Sequence, residues 1–104
     1  MTTKSAKTQA LLARISGKKL TIGSLLWSIR ESEAQTQVSF AATLGISRQY
    51  LCDLEHDRRG LSPIMAATFA KTLGYSEEQF IRLVLQDTLD RAGLAFAVEI
   101  KRAA

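Results

Sequence analysis

Cysteine occurs once in these 104 residues, proline once, and no apolar run approaches the length of a membrane span. The lone Cys52 rules out an internal disulfide framework and a thiol-rich metal site, and it suits a reducing compartment. A spanning helix needs about 18 consecutive apolar residues, and the chain opens without the apolar block of a secretory signal. A cytoplasmic location with no membrane partner is therefore expected. Signatures of catalysis are equally scarce. No glycine-rich phosphate loop follows a strand, and no His/Cys/Asp/Glu group has metal-ligand spacing. Ser47 and His56 are nine residues apart, about two and a half turns along one helix, too far for a nucleophile and its base. The expectation is a non-enzyme with no cofactor and no metal.

Acidic residues are missing from the first twenty positions, which carry Lys4, Lys7, Arg14, Lys18 and Lys19, a charge of +5. Since the whole chain is +4, the remainder is −1, with nine basic and ten acidic residues. Any basic footprint in the folded part must come from placement, because bulk charge does not supply it. The first twenty residues hold one small apolar group, Ala10, Leu11, Leu12 and Ile15. Alone, such a face does not offset the entropy of ordering the segment. Residues 1–20 are read as a disordered, flexible tail with a nascent helix over about Thr8–Ile15, available to a partner. Residues 21–104 are read as one domain whose apolar content allows a single modest core.

That domain reads as five helices followed by a strand. The first starts at Thr21, a plausible N-cap, with Leu20 able to staple onto Leu25 across it. Ile22, Leu25, Leu26 and Ile29 then form one stripe at i, i+3, i+4, i+7. Trp27 lies off the stripe, a shoulder of the core rather than a partner anchor. The second helix follows Thr36 and ends at Gly45; the third follows Ser47. The fourth opens with Ser62 as cap and Pro63 at the first helical position, and ends at Gly74. The fifth opens at Ser76, with Gln79 placed for a capping box, and runs to about Ala92. Phe80, Ile81, Leu83, Val84, Leu85 and Leu89 cover more than one of its faces, more than a roof over a small core needs. After Gly93 the period falls to two, with Leu94, Phe96, Val98 and Ile100 alternating with Ala95, Ala97, Glu99 and Lys101. A short β-strand is expected there. It needs a mate, and a second copy across a twofold axis supplies one economically, with a partner protein as the alternative. Leu85, Leu89, Phe96, Val98 and Ile100 are the expected dimerisation residues.

The stretch "TQVSFAATLGISRQYLCDLEHDRRG", Thr36 to Gly60, carries the functional signal. Phe40, Ala41 and Leu44 share an inward face, Leu51 and Leu54 do the same, and Ile46 bridges the turn. Ala41 is small where the helices cross. Gly45 stands where the chain turns sharply, with a positive φ expected. The pattern is a helix-turn-helix, whose second helix lies in the DNA major groove. The outer stripe of that helix is Gln49, Cys52, Asp53 and His56, with Arg48 near its start. Cys52 reads as a small spacer and His56 as a surface or phosphate-side group. Asp53 is unfavourable near phosphates unless it accepts from a cytosine amino group or holds Arg48 or Arg59.

Over about residues 20–85 the chain resembles the Xre/Cro family of lambda-repressor-like domains. The matching pieces are Thr36-Gln37, Ala41, Leu44-Gly45-Ile46-Ser47, Tyr50-Leu51, Leu54-Glu55, Phe69-Ala70 and Leu73-Gly74. The resemblance implies an all-α, five-helix fold that binds double-stranded operator DNA. It also implies that Gln37 touches a phosphate, that Arg48 and Gln49 read bases, and that Arg58 and Arg59 grip the backbone. Ser47, Tyr50 and Asp53 complete the implied DNA-facing set, and Arg30 with Glu55 form an implied structural ion pair. Size, tail and terminal alternation are similar to the HigA-type antitoxins of type II toxin–antitoxin pairs. That likeness implies a homodimeric autorepressor that neutralises a RelE/HigB-like messenger-RNA-cleaving toxin through its tail, with Leu11, Leu12 and Ile15 as the toxin-binding residues. The other reading is a free-standing repressor whose basic tail only grips phosphates.

Overall fold

The computed structural model describes residues 20–103. The tail and its apolar residues Leu11, Leu12 and Ile15 lie outside this range. Within it stand five helices: α1 (Ile22–Ser32), α2 (Gln37–Leu44), α3 (Arg48–Glu55), α4 (Pro63–Leu73) and α5 (Glu77–Arg91).

Each helix begins on a hydroxyl residue. Thr21, Thr36, Ser47, Ser62 and Ser76 accept from the backbone N–H groups of Ser24, Ser39, Tyr50, Met65 and Gln79. Such a cap contributes about 1 kcal/mol. At Thr21 the bond is reciprocal, because the Ser24 hydroxyl accepts from the Thr21 N–H at 2.9 Å. The Gln79 carbonyl oxygen accepts instead from Arg82 Nε at 3.3 Å.

The helix ends are equally uniform. After α2, the Gly45 N–H donates to Ala42 and the Ile46 N–H to Ala41, with Gly45 at φ 72°. This paired closure satisfies the last carbonyls through a left-handed residue. It recurs after the other four helices, and at two of them the left-handed residue is not glycine: Ala34 (φ 53°) and Asp57 (φ 57°). Side chains there cost about 1–2 kcal/mol, less for aspartate, which tolerates this region better than alanine.

The core gathers one face of every helix. Ile22, Leu25, Leu26 and Ile29 meet Phe40, Leu51, Leu54 and Phe80, all less than 2% exposed. Each such side chain contributes about 1.5–3 kcal/mol by leaving water. Helix α1 lies against α3 and α5, α2 against α3 and α4, and α4 against α5. Helices α1 and α3 approach tightly at Gly23, where a Cβ would strike the Leu54 carbonyl oxygen and crowd Asp57 Oδ1. That absence of a side chain seats the end of α3 on the start of α1.

From α5, Asp87 reaches the same corner. Its carboxylate is 6% exposed, and Oδ2 accepts from the Ile22 N–H at 2.9 Å, so α5 caps α1 across the fold. Oδ1 is buried without a hydrogen-bond partner. Burial raises the Asp87 carboxyl above the usual carboxylate range, and the Ile22 N–H only partly offsets this. Asp57 and Asp90 push the same way, and Arg91 opposes them.

Beyond Gly93 the structure corrects the expectation of a strand. No strand forms among the described residues, and Leu94 to Ala103 run as irregular chain. The alternation has no neighbouring backbone to pair with in this chain. A side chain takes that place: Gln86 Nε2 donates to Phe96 O at 2.8 Å, and the Val98 N–H donates to Gln86 Oε1 at 2.8 Å. The amide thus pairs the segment to α5 as one rung of a ladder would. Arg102 adds an ion pair to Glu78 at 3.0 Å. Of the residues expected at a dimer contact, Phe96 is 67% exposed, and Leu85, Leu89, Val98 and Ile100 are partly buried.

Candidate nucleic-acid interface

Helix α3 is amphipathic in the strict sense that its two sides meet different media. Leu51 and Leu54 are fully buried, whereas Arg48, Gln49 and His56 are exposed and Cys52 and Asp53 partly so. The tight turn at Gly45 sets α2 and α3 against each other with Ile46 packed on the core between them. The turn therefore aims a row of donors and acceptors away from the molecule.

Four side chains tie this row to the interior. Arg30 Nε donates to Glu55 Oε2 at 2.7 Å and Arg30 Nη2 donates to Oε1 at 3.1 Å, while Nη1 caps the Gln35 carbonyl. The Glu55 side chain is 1% exposed and that of Arg30 13%, so the pair is largely withdrawn from water. The Glu55 hydrogen bond raises the Arg30 guanidinium further above its ordinary value. Glu55 Oε1 also accepts from Gln37 Nε2 at 3.0 Å, and Gln37 Oε1 accepts from Arg48 Nη1 at 3.2 Å. Gln37, at the start of α2, thus has its amide orientation fixed by Glu55 and in turn fixes Arg48. The family resemblance named all four residues but not this chain of contacts, which joins three helices.

The second half of the row centres on Asp53. Its Oδ1 accepts from Gln49 Nε2 at 3.0 Å and from Arg58 Nε and Nη2 at 3.1 and 2.9 Å. Its partner is therefore Arg58, not Arg48 or Arg59. The Arg58 hydrogen bond holds the Asp53 carboxyl below the usual range, Gln49 helps, and Arg58 is itself raised. Arg58 Nη2 also reaches Cys52 Sγ at 3.5 Å. His56 Nδ1 lies 2.8 Å from the Cys52 carbonyl, a contact that is favourable only as an Nδ1–H donor.

Arg59 Cζ lies over the Tyr50 ring, 3.9 Å from its centroid, and the Tyr50 hydroxyl points to Met65 Sδ at 3.7 Å. A stacked guanidinium keeps its edge N–H groups for other acceptors. Ser47 is committed to capping α3. Trp27 proves 48% exposed and lines a groove of about 360 Å³ with Ser24, Arg30, Gln37, Glu55 and His56. It is less of a core residue than its sequence position suggests.

This surface offers acceptors and donors at fixed spacing on a helix that projects from its support. Arginine and glutamine in such a row suit the base edges of guanine and adenine. The N-termini of α2 and α3, where Thr36, Val38, Ser39, Ser47, Arg48 and Gln49 are exposed, suit phosphate. No His/Cys/Asp/Glu group able to hold a metal occurs among the described residues. No helix among them is long and apolar enough to cross a membrane.

Comparison with known proteins agrees with this geometry. The model of a helix-turn-helix family matches residues 28–80, just over half of the chain, from within α1 to the first turn of α5. No curated protein and no solved structure matches the chain.

Proposed function

Because the chain belongs to the Xre/Cro-type helix-turn-helix family, we propose that it is a DNA-binding transcription regulator that sets α3 into the major groove and represses as a dimer. One observation carries the reading: α3 is locked into the core by Leu51 and Leu54 while its polar side stays open. Arg48 and Gln49 are the base readers, Gln37 both contacts a phosphate and steadies Arg48, and Arg58 and Arg59 face the backbone. Two copies then present α3 to successive major grooves, roughly 34 Å apart.

Selecting duplexes from a random pool and measuring affinity for the winners tests this directly. Gln49→Ala is expected to lose about 1–3 kcal/mol on the selected site and far less on random sequence. Unchanged affinity and unchanged site choice would remove α3 from the groove.

At finer grain the protein is an antitoxin whose residues 1–20 fold onto a RelE/HigB-like toxin. The apolar Leu11, Leu12 and Ile15 of that segment support this reading, whereas its basic, acid-free composition suits phosphates better than a basic toxin, so the apolar residues must carry most of the contact. Titration with a toxin encoded beside it, with and without residues 1–20, separates the two. A complex lost on truncation is expected. No complex, or one indifferent to truncation, leaves the free-standing repressor.

A further inference from the structure

Asp53 is an acid in the middle of a surface read as DNA-facing, and simple electrostatics argues against it there. Its surroundings supply a purpose. One oxygen, Oδ1, collects hydrogen bonds from Gln49 Nε2, Arg58 Nε and Arg58 Nη2, all between 2.9 and 3.1 Å. The carboxylate is thereby engaged with a base-reading amide on one side and a phosphate-side guanidinium on the other. The side chains of Arg58 and Asp53 are 53% and 26% exposed, so the ion pair is a surface one.

Such a pair contributes little to folding, yet it matters when a polyanion approaches. Binding to any duplex draws its strength from cations that neutralise phosphates and release condensed counterions. While Arg58 neutralises Asp53, it does not neutralise a phosphate. If Arg58 swings to the backbone, Asp53 is left as an uncompensated anion beside the duplex, with the neutral Gln49 amide as its remaining donor. Either way the sequence-independent mode forfeits one charge contact. In the groove, the acceptor that Asp53 presents finds its complement in a cytosine N4 amino group, which only particular sequences place there.

Building on the major-groove reading of α3, we propose that Asp53 is a specificity-determining residue that restrains binding to non-cognate DNA by holding Arg58 and Gln49 on a single carboxylate oxygen. Its removal makes the protein a better general DNA binder and a poorer discriminator.

The experiment is a salt titration of the full chain on a random-sequence duplex, comparing wild type, Asp53→Asn, Arg58→Ala and the double variant. Asp53→Asn is expected to steepen the slope of log affinity against log salt by about 0.9, the yield of one further phosphate contact. At about 0.1 M salt this corresponds to a roughly eightfold tighter complex, the factor one released ion contributes relative to 1 M. The double variant is expected to fall back to the Arg58→Ala slope, because the gain works through Arg58. Asp53→Glu should restore most of the wild-type slope. Asp53→Ser serves the same comparison if circular dichroism shows that the asparagine variant has lost helix. An unchanged or shallower slope for Asp53→Asn, or a gain that survives loss of Arg58, overturns the proposal while leaving α3 in the groove. A wild type that binds neither random nor selected duplex overturns the major-groove reading itself.

Discussion

Ala34 shows how a single side chain can be wrong for its backbone and still be kept. It closes α1 at φ 53°, a conformation that favours glycine, and it is exposed with no packing role. Ala34→Gly is therefore expected to raise stability by about 1 kcal/mol, read as a higher urea midpoint with an unchanged slope. Asp87 is the opposite case, a group needed for its hydrogen bond but poorly housed as an anion. Its folded-state value lies above its unfolded value of about 3.9, so its favourable contribution is complete below that pH and is lost as pH rises through the folded value. Asp87→Asn keeps an acceptor for the Ile22 N–H and cannot ionise. Thermal melts should show the wild type losing ground to this variant as pH rises from about 4 toward neutrality; a constant difference would contradict the assignment. Neither residue stood out in the sequence. The alanine offers no turn signal, and the contact of Asp87 with Ile22 spans 65 positions. Gly45, by contrast, was legible because a helical stripe stops on it and another begins two residues later.

At the level of elements, hydroxyl caps and apolar stripes were enough to place the five helices, since both are local properties. What they could not show is how closely two elements approach. Gly23 sits on the buried side of α1 and passes for an ordinary helical glycine, but it is the reason α3 can rest where it does. Gly23→Ala is expected to cost on the order of 1–3 kcal/mol by forcing the Leu54 carbonyl away, and to weaken DNA affinity by displacing α3. A stable variant with wild-type affinity would show that this contact does not set the helix. The Arg30–Glu55 pair makes a second test. Glu55→Ala strands a nearly buried guanidinium and releases Gln37, at a cost of about 3–5 kcal/mol in stability. The terminal alternation misled because period two states which residues share a face, not whether a mate exists. Here Gln86 answers the backbone instead of a neighbouring strand.

For the whole molecule, the charge balance matters more than any single contact. The described domain is close to neutral, so its attraction to DNA depends on where Arg48, Arg58 and Arg59 stand, at the start of α3 and just past its end, while Asp53 holds Arg58. Leu94 and Phe96 remain 47% and 67% exposed beside that domain, an apolar surface of the kind association covers. Removing residues 94–104 is expected to shift sedimentation toward monomer; a dimer of undiminished stability would place the contact on α5 alone. Amide chemical shifts followed as a random-sequence duplex is added at low salt locate the surface that meets DNA. The largest changes are expected at residues 36–39 and 47–59, with α5 and the terminal segment little affected. Changes concentrated on α5 and the terminal segment, with α3 silent, would contradict the reading of α3 as the DNA-facing helix.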